Sequence, residues 1–225
     1  MSVRRIETES PPDETRRTEP KVAARIRPAR ADDDVAPLLY ESGPPYYDLS
    51  FGDRRRSLRA LRSIARRAGN AASIEVCIVA ERDGELVGVL AGYPYSEGAR
   101  RGRRIDVHAF RRAAPWRWPK LVRIARAERS LDPPIPPGSW YIDALAVTQD
   151  HRRAGVGRAL LAEAETRARA AGCRLLSLHT GIDNSGARAF YKSAGMEVRG
   201  TVYASPAVRA LGIPDRGGVS YVKEV

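Results

Sequence analysis

One turn of the sequence carries the residue types that bind an anion. Residues 152–157 read Arg-Arg-Ala-Gly-Val-Gly, the pattern R-x-x-G-x-G, and a further arginine follows. The turn lies between a run typical of a β-strand and a segment with helical spacing. Glycines let a ligand approach the backbone, and the free amides at a helix start point at its oxygens. We therefore predict a phosphate site at Arg152, Arg153, Ala154, Gly155, Val156, Gly157 and Arg158.

The turn differs from the common nucleotide-binding loops. The pattern GxxxxGK[ST] is absent, and Leu160 stands where a dinucleotide fingerprint needs its third glycine. A second match to the looser pattern, Arg-Arg-Ala-Gly-Asn-Ala, occurs at residues 66–71, but it follows a helix and precedes a strand. That copy has no helix N-terminus to offer, so we assign the phosphate site to residues 152–157. A plain glycine turn is the alternative.

The composition excludes several classes of protein. The chain has 225 residues and is 43% hydrophobic, which suits one folded core and argues against global disorder. Cys77 and Cys173 are far apart and no CxxC motif exists, so a disulfide framework or a zinc finger is disfavoured. Three scattered histidines argue against a His-rich metal site. Without a long apolar run or a secretory signal, we expect a cytoplasmic location, and we expect no metal.

The net charge of +12 comes almost wholly from arginine. Such a balance favours phosphates, nucleic acid or an anionic membrane as partners, unless it only reflects an arginine-rich proteome. Eleven bases but two acids lie between Arg100 and Arg129, together with Trp116 and Trp118. We name residues 94–138 the basic insert. It can be a lid, a solvated arginine face, or a patch for nucleic acid or membrane.

Periodicity and turn signals indicate a mixed α/β sheet. Residues 1–23 are charged and lack apolar periodicity, which predicts a flexible tail before one domain at 24–225. Apolar runs predict strands at residues 24–30, 74–81, 86–93, 139–147, 174–179, 196–204 and 217–222. Helical spacing predicts helices at residues 35–39, 53–68, 155–171 and 184–194, and in the second half of the basic insert. The dipeptide Asp83-Gly84 predicts a hairpin.

Two details of these elements bear on chemistry. Asp32, Asp33 and Asp34 are expected in the first turn of a helix, where acids suit the helix dipole. A metal triad is the weaker alternative, because adjacent helical residues point in different directions. The alternation of residues 139–147 places four side chains on one face of a strand, namely Tyr141, Asp143, Leu145 and Val147.

Residues 139–200 resemble the GCN5-related N-acetyltransferases, the GNAT superfamily. The similar stretch reads YIDALAVTQDHRRAGVGRALLAEAETRARAAGCRLLSLHTGIDNSGARAFYKSAGMEVRG. It combines a strand ending in LAV, the R-x-x-G-x-G turn, a long helix closed by AxxxG, and N-x-x-A-x-x-F-Y-x-x-x-G-M. The resemblance implies a mostly antiparallel central sheet flanked by helices.

The resemblance also implies acetyl-CoA as a co-substrate. Leu145, Ala146 and Val147 match the strand whose backbone receives the acetyl and pantetheine groups. Residues 152–157 match the pyrophosphate loop, and Asn184 matches a residue that contacts the pantetheine arm. Arg153 departs from the family, in which many members carry glycine at that position.

Two side chains then become candidates for proton transfer. Asp143 shares its predicted face with the residues that border the acetyl group, where it can bind an amine or accept its proton. Tyr191 matches the usual general acid, and a phenol with a pKa near ~10 can protonate a thiolate. A hydrogen-bonding strand residue and a packed aromatic are the respective alternatives. His151 and His179 are interpreted as loop or packing residues, and Glu128 is a second candidate carboxylate.

The function that the resemblance implies is acetyl transfer to a primary amine by direct attack in a ternary complex. Alternatives are another acyl-CoA, a nucleic-acid-binding protein on the same fold, and a CoA-binding protein without catalysis. The resemblance places the basic insert beside the acceptor groove, where Arg111 and Arg112 would suit an acceptor with a carboxylate or phosphate. The sequence fixes neither the acceptor nor whether the chain forms a homodimer.

Overall fold

A computed structural model describes residues 24–225, and the predicted tail at residues 1–23 lies outside this range. Within it, a single sheet has the order β1-β2-β3-β4-β5-β7-β6, with β4 and β5 parallel and every other pair antiparallel. The strands are β1 Arg25–Pro28, β2 Cys77–Arg82, β3 Glu85–Pro94, β4 Ser139–Val147, β5 Leu175–Gly181, β6 Glu197–Tyr203 and β7 Gly217–Glu224. The mixed, mostly antiparallel sheet is confirmed.

The α-helices of the described range surround this sheet. They are α1 Ala36–Glu41, α2 Pro44–Phe51, α3 Arg54–Ala65, α4 Gly98–Arg112, α5 Trp118–Ser130, α6 Val156–Ala170, α7 Ser185–Ser193 and α8 Pro206–Arg209. None of the helices in residues 24–225 is long and apolar enough to cross a membrane.

The hairpin between β2 and β3 forms where the sequence predicts it. Asp83 and Gly84 both have positive φ, at 53° and 81°. A two-residue turn with two left-handed residues matches the right-handed twist of its strands, and Asp-Gly adopts it at low cost. The two strands therefore begin their pairing directly at the turn, with Arg82 opposite Glu85.

The sheet separates two apolar cores. Helices α1 and α3 pack on one face, against side chains such as Val79 and Val89. Helices α6 and α7 pack on the other face, against side chains such as Ile78 and Leu90. Because neighbouring residues of a strand point to opposite faces, α3 and α6 lie on opposite sides of the sheet.

The alternation predicted for β4 is wrong at its centre. Ile142 pairs with Gly92 and Ala144 pairs with Ala91, so Asp143 is an extra residue without a partner in β3. This β-bulge changes which side chains share a face. Leu145 and Val147 pack in the core of α6, whereas Tyr141 packs in the core of α1. Asp143 hydrogen-bonds to Tyr93 of the α1 core, so it does not share a face with Leu145 and Val147.

The basic insert forms two helices where the sequence predicted one. The missed helix, α4, turns Arg101, Ile105 and His108 toward the protein, so its inner face is more polar than apolar. Arg101 is buried because it forms ion pairs with Glu75 and Glu97, both at 2.7 Å. A search for apolar periodicity cannot detect such a face.

Helix α2 was also not predicted. It begins with Pro44 and Pro45. Proline is tolerated there because the amides of a first turn have no partner within the helix. The two prolines resemble a turn signal in the sequence, but in the structure they begin a helix.

Asp33 and Asp34 are ion-pair partners, and none of the three consecutive aspartates belongs to α1. Helix α1 has no acid in its first turn. Asp33 accepts hydrogen bonds from buried Arg27 at 2.7 and 2.9 Å and from the Arg30 amide at 2.6 Å. The bonds from Arg27 lower the pKa of Asp33. Asp34 pairs with Arg62 at 2.8 Å. The acids thus fix the segment between β1 and α1.

The bulged region should tolerate no extra side-chain atom. A Cβ at Gly92 would lie 2.1 Å from the Trp140 ring, whereas a Cβ at Gly102, inside α4, would meet nothing within 4 Å. We expect Gly92→Ala to lower the free energy of unfolding by about 1–3 kcal/mol. Gly102→Ala should raise it by about 0.5–1 kcal/mol, because alanine is the better helix former. Urea denaturation of both variants measures this, and equal effects would contradict the packing described here.

Candidate functional site

The parallel strands β4 and β5 separate at the point of the bulge. Their pairing ends at Ile142 opposite Leu178. Beyond it, β4 remains paired with β3 as far as Val147, and β5 remains paired with β7 as far as Gly181. The edges that face each other across this gap have no strand partner in the described chain. Ligands of open α/β sheets bind outside the carboxyl ends of strands at such a point.

The loop from β4 to α6 offers donors at the mouth of this gap. None of the amides of residues 153–158 donates to a backbone carbonyl or to a capping side chain within the described range. Residues 152–155 are also exposed. Consecutive free amides at the positive end of a 15-residue helix are an anion-binding arrangement. The structure therefore brings the predicted phosphate turn into a geometry that suits it.

The two glycines of this loop are needed for different reasons. Gly155 has φ 82°, a left-handed conformation, and a Cβ there would meet nothing within 4 Å. Gly157 has ordinary φ, but its Cβ would lie 3.1 Å from the Phe190 ring. Gly155 thus shapes the loop, whereas Gly157 lets α7 approach α6.

The departure at Arg153 has a visible conformational consequence. Arg153 has φ 60°, in the left-handed region that glycine occupies without strain. A non-glycine residue there costs about 1–2 kcal/mol. In exchange the exposed loop gains a further guanidinium between Arg152 and Arg158. Arg152 and Arg158 each donate a hydrogen bond to a backbone carbonyl oxygen, Arg152 to that of Val147 and Arg158 to that of Ser193, both at 3.2 Å.

Asp143 lies at the β4 bulge, and we call its surroundings, formed with Tyr93, Tyr141, His179 and Asp132, the recess. Asp143 is exposed, yet desolvation by the surrounding protein raises the pKa of Asp143 to about 6. The charge of Asp132 acts in the same direction, and the hydrogen bond from the Tyr93 hydroxyl at 2.7 Å opposes it. A carboxylate with a raised pKa that still contacts solvent is a plausible acceptor for a proton.

A series of hydrogen bonds joins Tyr141, His179 and Pro133 beside this carboxylate. The Tyr141 hydroxyl lies 3.2 Å from His179 Nδ1, and His179 Nε2 lies 2.6 Å from the Pro133 carbonyl oxygen. Burial lowers the pKa of His179. Its neutral ring donates through Nε2 to the Pro133 carbonyl oxygen, which can only accept, and it therefore accepts through Nδ1. His179 therefore belongs to this recess, which the interpretation as a simple packing residue missed.

The basic insert contributes acids to the same region. Asp132 follows α5 and lies 3.6 Å from His179. Burial and the charges of Asp106 and Asp132 raise the pKa of Glu128 to about 7. Burial raises the pKa of Asp132 to about 6, against the charge of Arg129. Although the chain carries +12, the neighbouring charge that raises the pKa of Asp143 is that of an acid, Asp132.

Arg111, predicted to face an acidic acceptor, lies elsewhere. It lines a cavity between α3 and α4 together with Ile64. The residues that the structure places around Asp143 are tyrosines and carboxylates, such as Tyr93 and Asp132.

The remaining predicted residues, Asn184 and Tyr191, belong to α7 and its N-cap. Asn184 is its N-cap, and its side-chain oxygen accepts from the Ala187 amide at 3.1 Å. Because the oxygen is used in this way, the side-chain nitrogen is left to donate. Tyr191 is buried 5.7 Å from the ring of Tyr221, and burial raises its pKa well above the ordinary value. Its phenol stays protonated throughout the physiological pH range.

Most of the residues predicted from sequence lie on the strands that border the gap or on the segments that follow those strands. The β4 residues Leu145, Ala146 and Val147, the loop at 152–158, and Asn184 and Tyr191 of α7 all belong to the two strands that separate or to the helices that follow them. Sequence reasoning missed Tyr93 and Asp132. Tyr93 ends an apolar strand run, and Asp132 lies in a proline-rich segment, so neither has a local signal.

A family model and a curated relative both match this chain. The family model described as "Acetyltransferase (GNAT) family" matches residues 37–196. The chloroplastic GCN5-related N-acetyltransferase 4 of Arabidopsis thaliana is 38% identical over 58 residues. That match spans 26% of this chain and only 20% of the plant protein.

Solved structures of low sequence identity share the fold. A structure described only as an acetyltransferase has a TM-score of 0.64 at 21% identity and covers 89% of this chain and 99% of its own. The N-acetyltransferase of Staphylococcus aureus Mu50 has a TM-score of 0.63 at 17% identity, covering 90% of this chain and 100% of its own. A Bacillus subtilis acetyltransferase, solved in complex with CoA, has a TM-score of 0.52 at 16% identity, covering 90% and 99%.

The raised pKa of Asp143 should reduce stability at neutral pH. A carboxyl group whose pKa is higher in the folded than in the unfolded chain favours folding when protonated, so stability is lost as pH rises from about 4 to about 6. Asp143→Asn removes this loss and can still accept from Tyr93. We expect the variant to gain stability relative to the wild type as pH rises from 4 to 7. Urea denaturation across that range measures it, and a difference that shrinks with pH would contradict the assignment.

Proposed function

Because this chain belongs to the GNAT acetyltransferase family, we propose that it is an N-acetyltransferase that transfers acetyl from acetyl-CoA to a primary amine. The observation that carries the proposal is the gap between β4 and β5 with the free amides of residues 153–158 at its mouth. We further propose that residues 24–225 form one acetyltransferase domain that includes the basic insert.

The residues present fit acetyl-CoA. Its pyrophosphate would bind the amides of the loop, with the guanidinium groups of Arg152, Arg153 and Arg158 nearby. Its pantetheine arm carries amides, which can pair with the free edge of β4 at Leu145 to Val147 in the manner of an added strand. The side-chain nitrogen of Asn184 is a further donor to that arm.

The proposed reaction is a direct attack in a ternary complex. A neutral amine nitrogen attacks the thioester carbonyl carbon, and the C–S bond breaks to give an amide and the thiolate of CoA. Asp143 binds the incoming ammonium and accepts its proton, directly or through water. Its pKa of about 6 leaves it mostly ionised at pH 7 but able to hold a proton briefly.

Tyr191 is the proposed proton donor to the departing thiolate. Its buried phenol is neutral at physiological pH, so the proton is present when the C–S bond breaks. Phe190 packs behind the phosphate loop at Gly157, which couples the position of α7 to that of the loop. The helix that carries the donor is thereby fixed against the helix that binds the phosphates.

The recess favours a cationic acceptor. The charge of Asp132 raises the pKa of Asp143 and of Glu128, and the Glu128 Oε1 atom has no hydrogen-bond partner within the described residues. Tyr95 and Tyr141, with ring centroids 5.7 Å apart, add aromatic walls. An amine that carries a second positive charge would suit these walls better than an acceptor with a carboxylate or phosphate.

Other functions are tested by the same experiments. An enzyme that uses another acyl-CoA would make the same contacts with the phosphates. A CoA-binding protein without catalysis would bind acetyl-CoA but would not acetylate any amine. A nucleic-acid-binding protein would have no affinity for CoA. Cytoplasmic location stays a prediction.

Acetyl-CoA binding should depend on the loop glycine. Gly155 and Gly172 stand at opposite ends of α6, both have positive φ, and a Cβ at either meets nothing within 4 Å. Gly155→Asp places a negative charge against the phosphates, whereas Gly172→Asp adds the same charge and the same strain away from them. Isothermal titration of acetyl-CoA should give a Kd at least tenfold higher for Gly155→Asp than for the wild type. The Kd of Gly172→Asp should equal that of the wild type. Failure of the wild type to bind would remove the proposed function.

Loss of the phenol should slow turnover without affecting donor binding. A panel of primary amines with neutral, anionic and cationic tails first identifies an acceptor by release of the CoA thiol. With that acceptor, Tyr191→Phe should lower kcat by about 10²–10⁴-fold. The Kd for acetyl-CoA should stay constant, because the ring still packs on Tyr221. Tyr203→Phe, at an exposed tyrosine, is the matched control. An unchanged kcat for Tyr191→Phe would exclude the donor role.

A further inference from the structure

A second basic site lies between α3 and α4. A cavity of about 300 Å³ opens there, and its lining includes Arg67, Asn70, Arg104, Val107, His108 and Arg111. We propose that this cavity is a binding site for a small phosphate-bearing ligand, separate from the acetyl-CoA site. The proposal does not depend on the proposed acetyltransferase activity.

The arginines that line the cavity are not held in ion pairs within the described residues, although Glu75 acts on Arg104 through its charge. Arg67, Arg104 and Arg111 form no ion pair with any residue of the described range, and no acid is among the lining residues. Glu75, the nearby acid, already binds Arg101 at 2.7 Å and the Gly69 amide at 2.8 Å. Three guanidinium groups around one concave space match the oxygens of a phosphate dianion.

The carbonyl groups that could repel an anion are occupied. The cavity adjoins the C-terminal end of α3, the negative end of its dipole. The Asn70 side chain donates to the Ile64 and Arg67 carbonyls at 3.0 and 2.6 Å. Arg104 donates to the Ala68 carbonyl at 3.2 Å. These bonds leave the guanidinium charges as the dominant electrostatic feature.

Helix α4 presents these groups as one face. Arg101, Arg104, His108 and Arg111 recur at intervals of three and four residues, which places them along one side of a helix. Arg101 turns to its ion pairs and to the Tyr93 ring, 5.4 Å away, so the cavity begins one turn further along α4. The other wall is the segment 66–71, the second match to the glycine pattern. Gly69 has φ 79° there, a left-handed conformation that glycine adopts without strain.

The cavity and the phosphate loop belong to helices on opposite faces of the sheet. Helix α3 packs on the opposite face of the sheet from α6. One CoA molecule bound along β4 and α6 would therefore not provide the anion for this cavity. At about 300 Å³ the cavity is at the lower limit of small-molecule pockets, which suits a phosphate monoester.

Inorganic phosphate is the probe for this site. It is titrated calorimetrically into the full chain at constant ionic strength, in the wild type and in Gly155→Asp, in which binding at the loop is suppressed. We expect saturable binding in both proteins. On the Gly155→Asp background, Arg104→Gln with Arg111→Gln should weaken binding at least tenfold. Arg123→Gln with Arg126→Gln removes the same charge from exposed positions of α5 and should leave the Kd unchanged.

Several results would overturn the proposal. The first is that phosphate does not bind saturably to Gly155→Asp. The second is that both double variants lose phosphate affinity equally. The third is that the double variant of α4, Arg104→Gln with Arg111→Gln, keeps its phosphate affinity. Tighter binding of a 20-nucleotide single strand, with steep salt dependence, would also overturn it in favour of an extended nucleic-acid surface. If the α4 variant fails to fold by circular dichroism, Val107→Trp, at a half-exposed lining residue, fills the cavity without removing charge and should abolish binding.

Discussion

The organisation of the candidate site depends on one interruption of the sheet. Two parallel strands share only four paired positions, and the strand that continues along β3 carries an extra residue where that pairing stops. A sheet interior normally leaves no backbone group unpaired, because an unpaired polar group is costly once water is removed. Here the unpaired edges stay accessible and face each other, so a ligand with its own amides can complete the ladder. The helices after both strands then present their N-terminal ends at the same opening.

Net charge is a poor guide to local chemistry in this protein. Several arginines are structural, since Arg27 and Arg101 are buried in ion pairs that fix connections between elements. Others lie on exposed helix faces or around the cavity between α3 and α4. Asp143 nevertheless has an acidic neighbour, because Asp132 lies in the segment after α5. The same insert thus contributes positive charge to one surface and negative charge to another.

Local patterns in the sequence predicted most strands of the sheet and several of its helices. Regular apolar spacing marks β4 and α6, a two-residue turn marks the first hairpin, and Asn184 caps α7 as expected. The bulge at Asp143 has no local signature, because a strand of alternating residues reads the same with or without it. Helix α4 was missed because arginine and histidine form its inner face. The pairing of His179 with Tyr141 and Pro133 was also inaccessible, since it joins residues 38 and 46 positions apart.

The position of β7 between β5 and β6 has a consequence for the order of events during synthesis. In the described sheet, β6 pairs only with β7, although β7 is made after it. When β6 leaves the ribosome it therefore has no strand to join, and one edge of β5 is also uncovered. Both wait until residues 217–224 emerge and enter between them. Exposed strand edges of this kind favour association between chains. The interval before β7 emerges is thus the stage of biogenesis at which a chaperone would contribute most.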